Sequence, residues 1–560
     1  MKEMAHGRSG LRFLVLTLAT GLLLASAPGL SVGQGKKSSG TSKIAKDLVG
    51  KHHNTTVDVI VQFRPGKASH TAIHARGGSV KDDLPVVDAV LASLPVNALE
   101  GLANDPNVIF VSPDREIHST MDYANPTIGA NIARSYGYDG TGIGVAVIDS
   151  GVSDPPDLSG RIVYSETFIP FVANEKYGHG THVAGIIAGT GKDSAHKYLG
   201  VAPGAKIINL RVLDDNGVGT DSNVIKAIDR AISLKNKYNI RVMNLSLGRS
   251  VFESYTVDPL CQAVERAWKA GIVVVTAAGN EGRNNSQGTQ GYGTTSAPGN
   301  DPYLITVGAM KTEGTVSKGD DLVASYSSKG PTLFDHIVKP DIVAPGNRIV
   351  SVSTKGVSLL ESVAKSNMVG TSYFKLSGTS MAAPMVSGAA ALLLQKNPSL
   401  SPDQVKARLM KTASKSFPSV STAVDPATGT TYTSQYDIFT IGAGYVDIPA
   451  ALANADTTSA AAISPKAVYD PATGKVQLVT DSAAVWGDTA VWGTTAVWGS
   501  NVFLNGSAAV WGDAAVWGDA AVWGDQTTQG FTAVWGDSAV WGDSTSSNSL
   551  SALLMLWGED

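Results

Sequence analysis

The sequence predicts an α/β fold. A doubly wound, mainly parallel sheet with helices on both faces is preceded by a small α+β domain and followed by a Trp-rich repeat tail. Two observations carry the main prediction. From residue 144 to about 453, strand-like and helix-like stretches alternate. The largely apolar runs at 145–148, 207–212, 242–247, 272–277 and 304–307 read as parallel strands buried on both faces. Helical periodicity fills 223–235 and 259–270 between some of them. Such an alternation puts a site at the carboxyl ends of the strands.

The bulk composition agrees with a large, loop-rich α/β chain. Of 560 residues 43% are hydrophobic, enough for a sizeable core, and only 16% are charged. A net charge of -4 with both signs mixed argues against nucleic acid as partner. The one cysteine, Cys261, cannot form an internal disulfide, so stability must come from packing and bound ions.

Taken in order, residues 1–31 read as a secretory signal peptide: Lys2, Arg8 and Arg12 precede an apolar run over 13–27 that ends in small residues. The run is short for a membrane anchor, and no later stretch is a transmembrane candidate. Secretion follows, with cell-surface association through the tail as an extension of it. Residues 34–42 are Gly/Ser/Lys-rich and read as a spacer. A small α+β domain is expected over 55–118, with strands at 56–62 and 108–111 and a helix over 98–104. The main domain follows over 122–453, then a linker over 454–481 and a repeat tail over 482–560. In the tail Ala-Val-Trp-Gly recurs, with tryptophans at 486, 492, 498, 511, 517, 523, 535 and 541. Most neighbours are six apart, an even spacing that puts the Trp within each such run on one face of an extended chain. That face suits sugar rings, other tryptophans or an insoluble polymer, so the tail is expected to bind a surface or polymer, to self-associate, or to serve export.

Three short blocks bring the residue types that nucleophilic hydrolysis needs. The strand at 145–148 runs into Asp149, a carboxylate at the mouth of the sheet. Gly178-His179-Gly180-Thr181-His182 opens an apolar helix; His179 is the candidate base, and His182 is a packed, hydrogen-bonded histidine. A zinc reading of the two histidines lacks a further ligand cluster. Ser377-Gly378-Thr379-Ser380 precedes another apolar helix, where free amides favour negative charge; the plainer alternative is that Ser380 caps that helix. Asn280, on the Gly-flanked turn after the run at 272–277, offers an amide for an oxyanion beside the Ser380 backbone N–H.

These blocks, in the order Asp, His, Ser, resemble the subtilisin-like serine proteases over about residues 122–453. The resemblance implies a serine endopeptidase with protein or peptide substrates and no cofactor required for chemistry. It implies catalytic roles for Asp149, His179, Ser380 and Asn280. By the same resemblance Ser246, Leu247 and Gly248 form one edge for an extended substrate, Gly217 and Gly219 the opposite edge, and Ala278 and Gly279 line a pocket. Residues 57–118 resemble the family's inhibitory propeptide, so a self-processed zymogen with its own propeptide as inhibitor is expected. A structural calcium ion is implied at Asp157 and Asp193. Two departures stand out: Met385 follows Pro384 where many members carry His, and 149–156 is one residue short. The competing reading is a non-catalytic surface or adhesion protein on the same scaffold, with the Trp repeat as its working part.

Overall fold

The computed structural model describes residues 43–45, 48, 55–85, 88–113, 121–170, 175–286, 289–418, 420–424, 429–470, 475–479, 496–497 and 521–522. They fall into two compact units divided near residue 116. The signal peptide expected over 1–31 and nearly all of the repeat tail lie outside the described residues. Among those described, no helix is long and apolar enough to cross a membrane.

In the first unit, strands β1 (Thr56–Phe63), β2 (Ser79–Leu84), β3 (Ala89–Pro95) and β4 (Val108–Pro113) form an antiparallel sheet in the order β2-β3-β1-β4. Its core follows the two-residue period of a strand: Val59, Val61 and Phe63 of β1 point to one face and are buried with Val90, Ala92 and Leu94 of β3. Two short helices, His70–His74 and Leu99–Ala103, cover that face with Ile73, Leu99 and Leu102. Ser69 caps the first through its hydroxyl.

The second unit is built on eight strands: β5 (Gly144–Asp149), β6 (Ile162–Thr167), β7 (Lys206–Arg211), β8 (Ile240–Leu245), β9 (Val273–Ala277), β10 (Ile305–Lys311), β11 (Leu322–Val323) and β12 (Ile342–Pro345). The order is β11-β10-β9-β8-β5-β7-β6, with β12 also pairing β10; every pairing except β10 with β11 is parallel. All residues of β5 and β9 are buried, as their unbroken apolar runs require. The helices His179–Ala188 and Thr379–Lys396 pack on each other, and so do Asp221–Tyr238 and Pro259–Lys269. The chain leaves β5 toward β7 and β6 on one side and β8, β9 and β10 on the other. β5 is therefore the switch point of the sheet, and Asp149 ends it.

One boundary expected from composition is wrong. Residues 454–467 are not a free linker but a strap seated on the second unit. Arg408 donates to the carbonyls of Asn454 and Asp456, Gln404 to that of Thr458, and Val338 N–H to that of Pro465. Ser464 and Ala467 are buried, because Ala and Ser are small enough to lie flat on a packed surface. Under the strap, Lys406 Nζ faces the carbonyl oxygens of Pro302 (2.8 Å), Tyr303 (3.2 Å) and Leu304 (2.9 Å), Ser464 Oγ (2.8 Å) and Asp341 Oδ1 (3.2 Å). Lys339 Nζ holds the other Asp341 oxygen at 2.6 Å. Burial pushes the Asp341 carboxyl up, but the two lysines outweigh it and hold the group below its ordinary range. Beyond the strap, Lys466–Asp470 and Lys475–Val479 form a hairpin, and Ala496–Val497 pairs in parallel with Ala521–Val522.

Candidate active site

Asp149 is buried at the end of β5. Its Oδ1 accepts from His179 Nδ1 at 2.7 Å and from Ser150 N–H at 2.7 Å. His179 is the first residue of its helix, after Gly178 at φ +101°. The residue that follows must be glycine: a Cβ on Gly180 would lie 2.2 Å from the Gly151 carbonyl oxygen and 3.1 Å from Asp149 Oδ1. Close packing of Gly180 on Gly151 is thus what lets the imidazole reach the carboxylate. The opposite ring nitrogen, Nε2, is buried and has no hydrogen-bond partner among the described residues. Burial lowers the imidazole pKa. The charge of Asp149, its hydrogen bond and the charge of Glu175 more than offset this, and the net shift is upward from 6.5.

Ser380 lies in the first turn of the helix Thr379–Lys396, whose cap position is Gly378, so it does not cap the helix. Its hydroxyl donates to the Ser246 carbonyl at 3.1 Å, and Ser246 Oγ donates back to the Ser380 carbonyl at 2.8 Å. Asn244 holds Ser246 Oγ at 2.9 Å and accepts from Ser387 at 2.8 Å, which stitches this helix to the end of β8. Asn280 Oδ1 accepts from Thr379 N–H at 2.9 Å and from its hydroxyl at 3.1 Å. With its oxygen committed to donors, the amide is fixed in one orientation, and its NH₂ is the end left to face elsewhere.

The residues expected to bind substrate gather around these groups. Ser246-Leu247-Gly248 continues from β8, and Ala278-Gly279 from β9. A Cβ on Gly248 would meet Ser296 Oγ at 2.6 Å, and one on Gly279 would meet the same atom at 3.2 Å. Two glycines and the Ser296 hydroxyl therefore face one another. Ala278 itself is fully buried and pairs through its N–H with Val307. Gly217 and Gly219 lie on a turn held by Asp214, with Gly217 against the Tyr177 ring, which neighbours His179 at 6.3 Å between centroids. Tyr177 gave no signal in sequence, because only the fold brings residue 217 against it.

His182 is buried and donates through Nε2 to the carbonyls of Ile349 (3.1 Å) and Phe374 (3.0 Å). It is a packed, neutral ring.

Asp157 and Asp193 do not fit a calcium ion. Asp157 Oδ2 accepts the Tyr373 hydroxyl at 2.5 Å and Oδ1 accepts Asp193 N–H at 2.8 Å. Asp193 faces the Lys355 ammonium at 3.5 Å. A hydroxyl proton and an ammonium stand where a cation would need bare oxygens. Among the described residues, no group of three or more His, Cys, Asp or Glu is arranged to hold a metal. The implied calcium site is therefore corrected to a hydrogen-bonded cluster, which Ser194 completes by bonding Tyr373 at 2.9 Å.

The sequence profile of the subtilase family matches residues 140–444. Serine protease AprX of Bacillus subtilis (strain 168) is 37% identical over 371 residues, covering 62% of this chain and 81% of that protein. Subtilisin E of the same organism is 37% identical over 348 residues, covering 61% and 79%. Among solved structures, Sphericase is similar at 29% identity and a TM-score of 0.44, over 55% of this chain and 92% of that one.

Proposed function

Because this chain belongs to the subtilase family and is a serine endopeptidase, we propose that it cleaves peptide bonds through an acyl-enzyme on Ser380, with His179 as base and Asp149 as its orienting carboxylate. One observation carries the assignment: a buried imidazole commits Nδ1 to a buried carboxylate and keeps Nε2 unpartnered, at the switch point of the sheet. In this reading the Ser380 hydroxyl leaves the Ser246 carbonyl and gives its proton to Nε2 as Oγ attacks the scissile carbon. Asp149 stabilises the imidazolium through the Nδ1 bond. The oxyanion takes hydrogen bonds from the Ser380 backbone N–H and the Asn280 amide, donors that need no reorganisation. The imidazolium then protonates the leaving amine; a water deprotonated by the same nitrogen attacks the ester, and the proton passes from Nε2 to Ser380 Oγ as the acyl group leaves. Extended substrate lies between 217–219 and 246–248 by β-augmentation. The side chain before the cut is taken by a pocket at Ala278, Gly279 and the loop 291–296, whose small lining favours large residues.

The decisive experiment is labelling with a fluorophosphonate and mapping of the adduct. Attachment at Ser380, lost in Ser380→Ala together with hydrolysis, is expected. A Ser380→Ala protein that still hydrolyses peptide would overturn the assignment.

We further propose that the chain is secreted and that the unit within 55–118 is an inhibitory propeptide released by self-cleavage. Intact mass and N-terminal sequencing of the secreted protein test both, and a mature chain that retains residues 55–118 would refute release. For the tail we propose attachment to a surface or polymer. Deletion of 483–560 should spare small-peptide hydrolysis and reduce retention on insoluble substrates.

A further inference from the structure

A second carboxylate stands behind the Asp149–His179 pair. Glu175 Oε1 accepts from Gly178 N–H at 2.5 Å and from Ser150 Oγ at 3.2 Å, and Oε2 accepts from Thr181 Oγ1 at 3.1 Å. The two hydroxyls extend the network in the opposite sense. Ser150 Oγ accepts from Gly180 N–H at 2.9 Å, and Thr181 Oγ1 accepts from Ser153 N–H at 2.9 Å. Each bond has one end in the turn after Asp149 or in the first turn of the His179 helix. Glu175 is the group on which they converge. Its Cγ packs 3.0 Å from where a Cβ on Gly151 would be.

The charged groups around it are few. Asp149 lies on the strand end, His179 on the helix. Arg211 flanks Gly151 from β7, its guanidinium bonded to Asp215 and to the Leu213 carbonyl. Tyr177 neighbours His179 and Lys176 is exposed and paired with Asp215. Burial, and after it the nearby Asp149 charge, push the Glu175 carboxyl up, while its three donors pull it down; the net shift is upward. Glu175 in turn contributes to the raised pKa of His179.

We propose that Glu175 is a positioning residue for the hydrolysis. As a carboxylate it clamps the end of β5 to the start of the His179 helix, which fixes the Asp149–His179 bond, and it adds negative charge behind the imidazolium that forms during acyl transfer. The proposal rests on the triad reading above. A pair this close to the reacting atoms tolerates little drift, since misplacement on the order of 1 Å costs about 100-fold.

The test compares the parent with Glu175→Gln, Glu175→Asp and Glu175→Ala on a small peptide substrate across pH, with fluorophosphonate titration of active sites and a thermal melt of each variant. Gln keeps the shape, and the Thr181 hydroxyl can turn to accept from its amide. It should lower kcat about 3- to 10-fold at unchanged KM and shift the acid limb of kcat/KM to lower pH by a few tenths of a unit, as expected when a nearby negative charge is lost. Asp keeps the charge and should leave that limb in place. Ala should lower kcat by about 100-fold. A Gln variant with parental kcat and an unmoved acid limb would overturn the proposal, as would an Ala variant that raises KM while holding kcat. If the parent itself takes no label at Ser380, the triad reading has failed, which is a different outcome from a labelled parent with an indifferent Glu175.

Discussion

Acidification should loosen the catalytic unit through His182, a ring with no part in the chemistry. Burial first, and then the neighbouring His179, lower its pKa from 6.5 to about 3, against the opposing hydrogen bonds to Phe374 and Ile349. The structure shows why a proton is unwelcome. Nε2–H already serves two carbonyls, and among the described residues buried Nδ1 has no partner that could accept from it. The folded pKa lies below the unfolded one, so the unfolded chain binds the extra proton. Stability is therefore full above pH 6.5 and falls as pH drops, until the folded ring also protonates. Each pH unit in that window removes about 1.4 kcal/mol, so the loss at pH 4.5 is about 3 kcal/mol and the limit below pH 3 about 5 kcal/mol. Against the usual 5–15 kcal/mol of a folded protein this is large. Asp301 and Asp321, pushed up to about 7, and Asp437, pushed up to about 6, all mainly by burial, act in the opposite sense. They bind protons more readily when folded. The measurement is therefore a difference: urea unfolding from pH 7.5 to 4.5 for Ser380→Ala, to prevent autolysis, and for the same protein carrying His182→Gln. The distant carboxyls cancel between the two. The stability advantage of the histidine protein should shrink by about 3 kcal/mol over that range. A difference that stays constant with pH would refute the reasoning, because His182 would then not titrate with unfolding.

Four further outcomes follow from the same geometry. Asn280→Ala should lower kcat by about 10²–10³ at near-constant KM, a range carried over from the subtilisins' own oxyanion asparagine rather than worked from this structure; a raised KM at full kcat would make it a binding residue. The acid limb of kcat/KM should lie above 6.5, since the base form of His179 is required and its pKa is raised; a limb below that value would mean another group is the base. Gly180→Ala should abolish peptide hydrolysis and lower the melting temperature, because its Cβ would meet the Gly151 carbonyl at 2.2 Å; full activity would show that the turn can yield. Lys406→Met should cost about 3–5 kcal/mol in urea unfolding despite matched length, as it leaves the buried Asp341 short of a partner; a cost under about 1 kcal/mol would show the ion pair to be inessential.

The parts legible in sequence were those whose physics is local. β5 and β9 announce themselves as apolar runs because both of their faces are covered; β7 and β8 show the same burial although Asn209, Arg211 and Asn244 interrupt theirs. β6 was missed because its side chains alternate between partly buried and exposed. The strand ending in Asp149 and the glycines beside His179 and Ser380 marked the site, since close backbone approach leaves a compositional trace. Glu175 left none: it is one acid in a polar stretch, and its partners arrive only when Ser150 folds back onto the helix start. The residues around 464 read as a linker because Ala, Ser and Thr look uncommitted in sequence, yet Ser464 closes a contact with Lys406, 58 positions away. The calcium expectation failed for a related reason. Asp157 meets a hydroxyl from Tyr373, 216 positions away, which no local pattern reveals.

The five oxygens around Lys406 bear on how this protease behaves when diluted. Three main-chain carbonyls, a hydroxyl and a carboxylate converge there, a donor set that would suit a bound ion. An ion held by mass action stabilises only while its free concentration exceeds its dissociation constant. A lysine side chain on the chain's own helix is present at unit stoichiometry in any medium. Chelators cannot strip it, and rinsing into salt-free water cannot wash it out. Whatever the ionic content around it, that corner of the molecule keeps its shape without drawing on its environment.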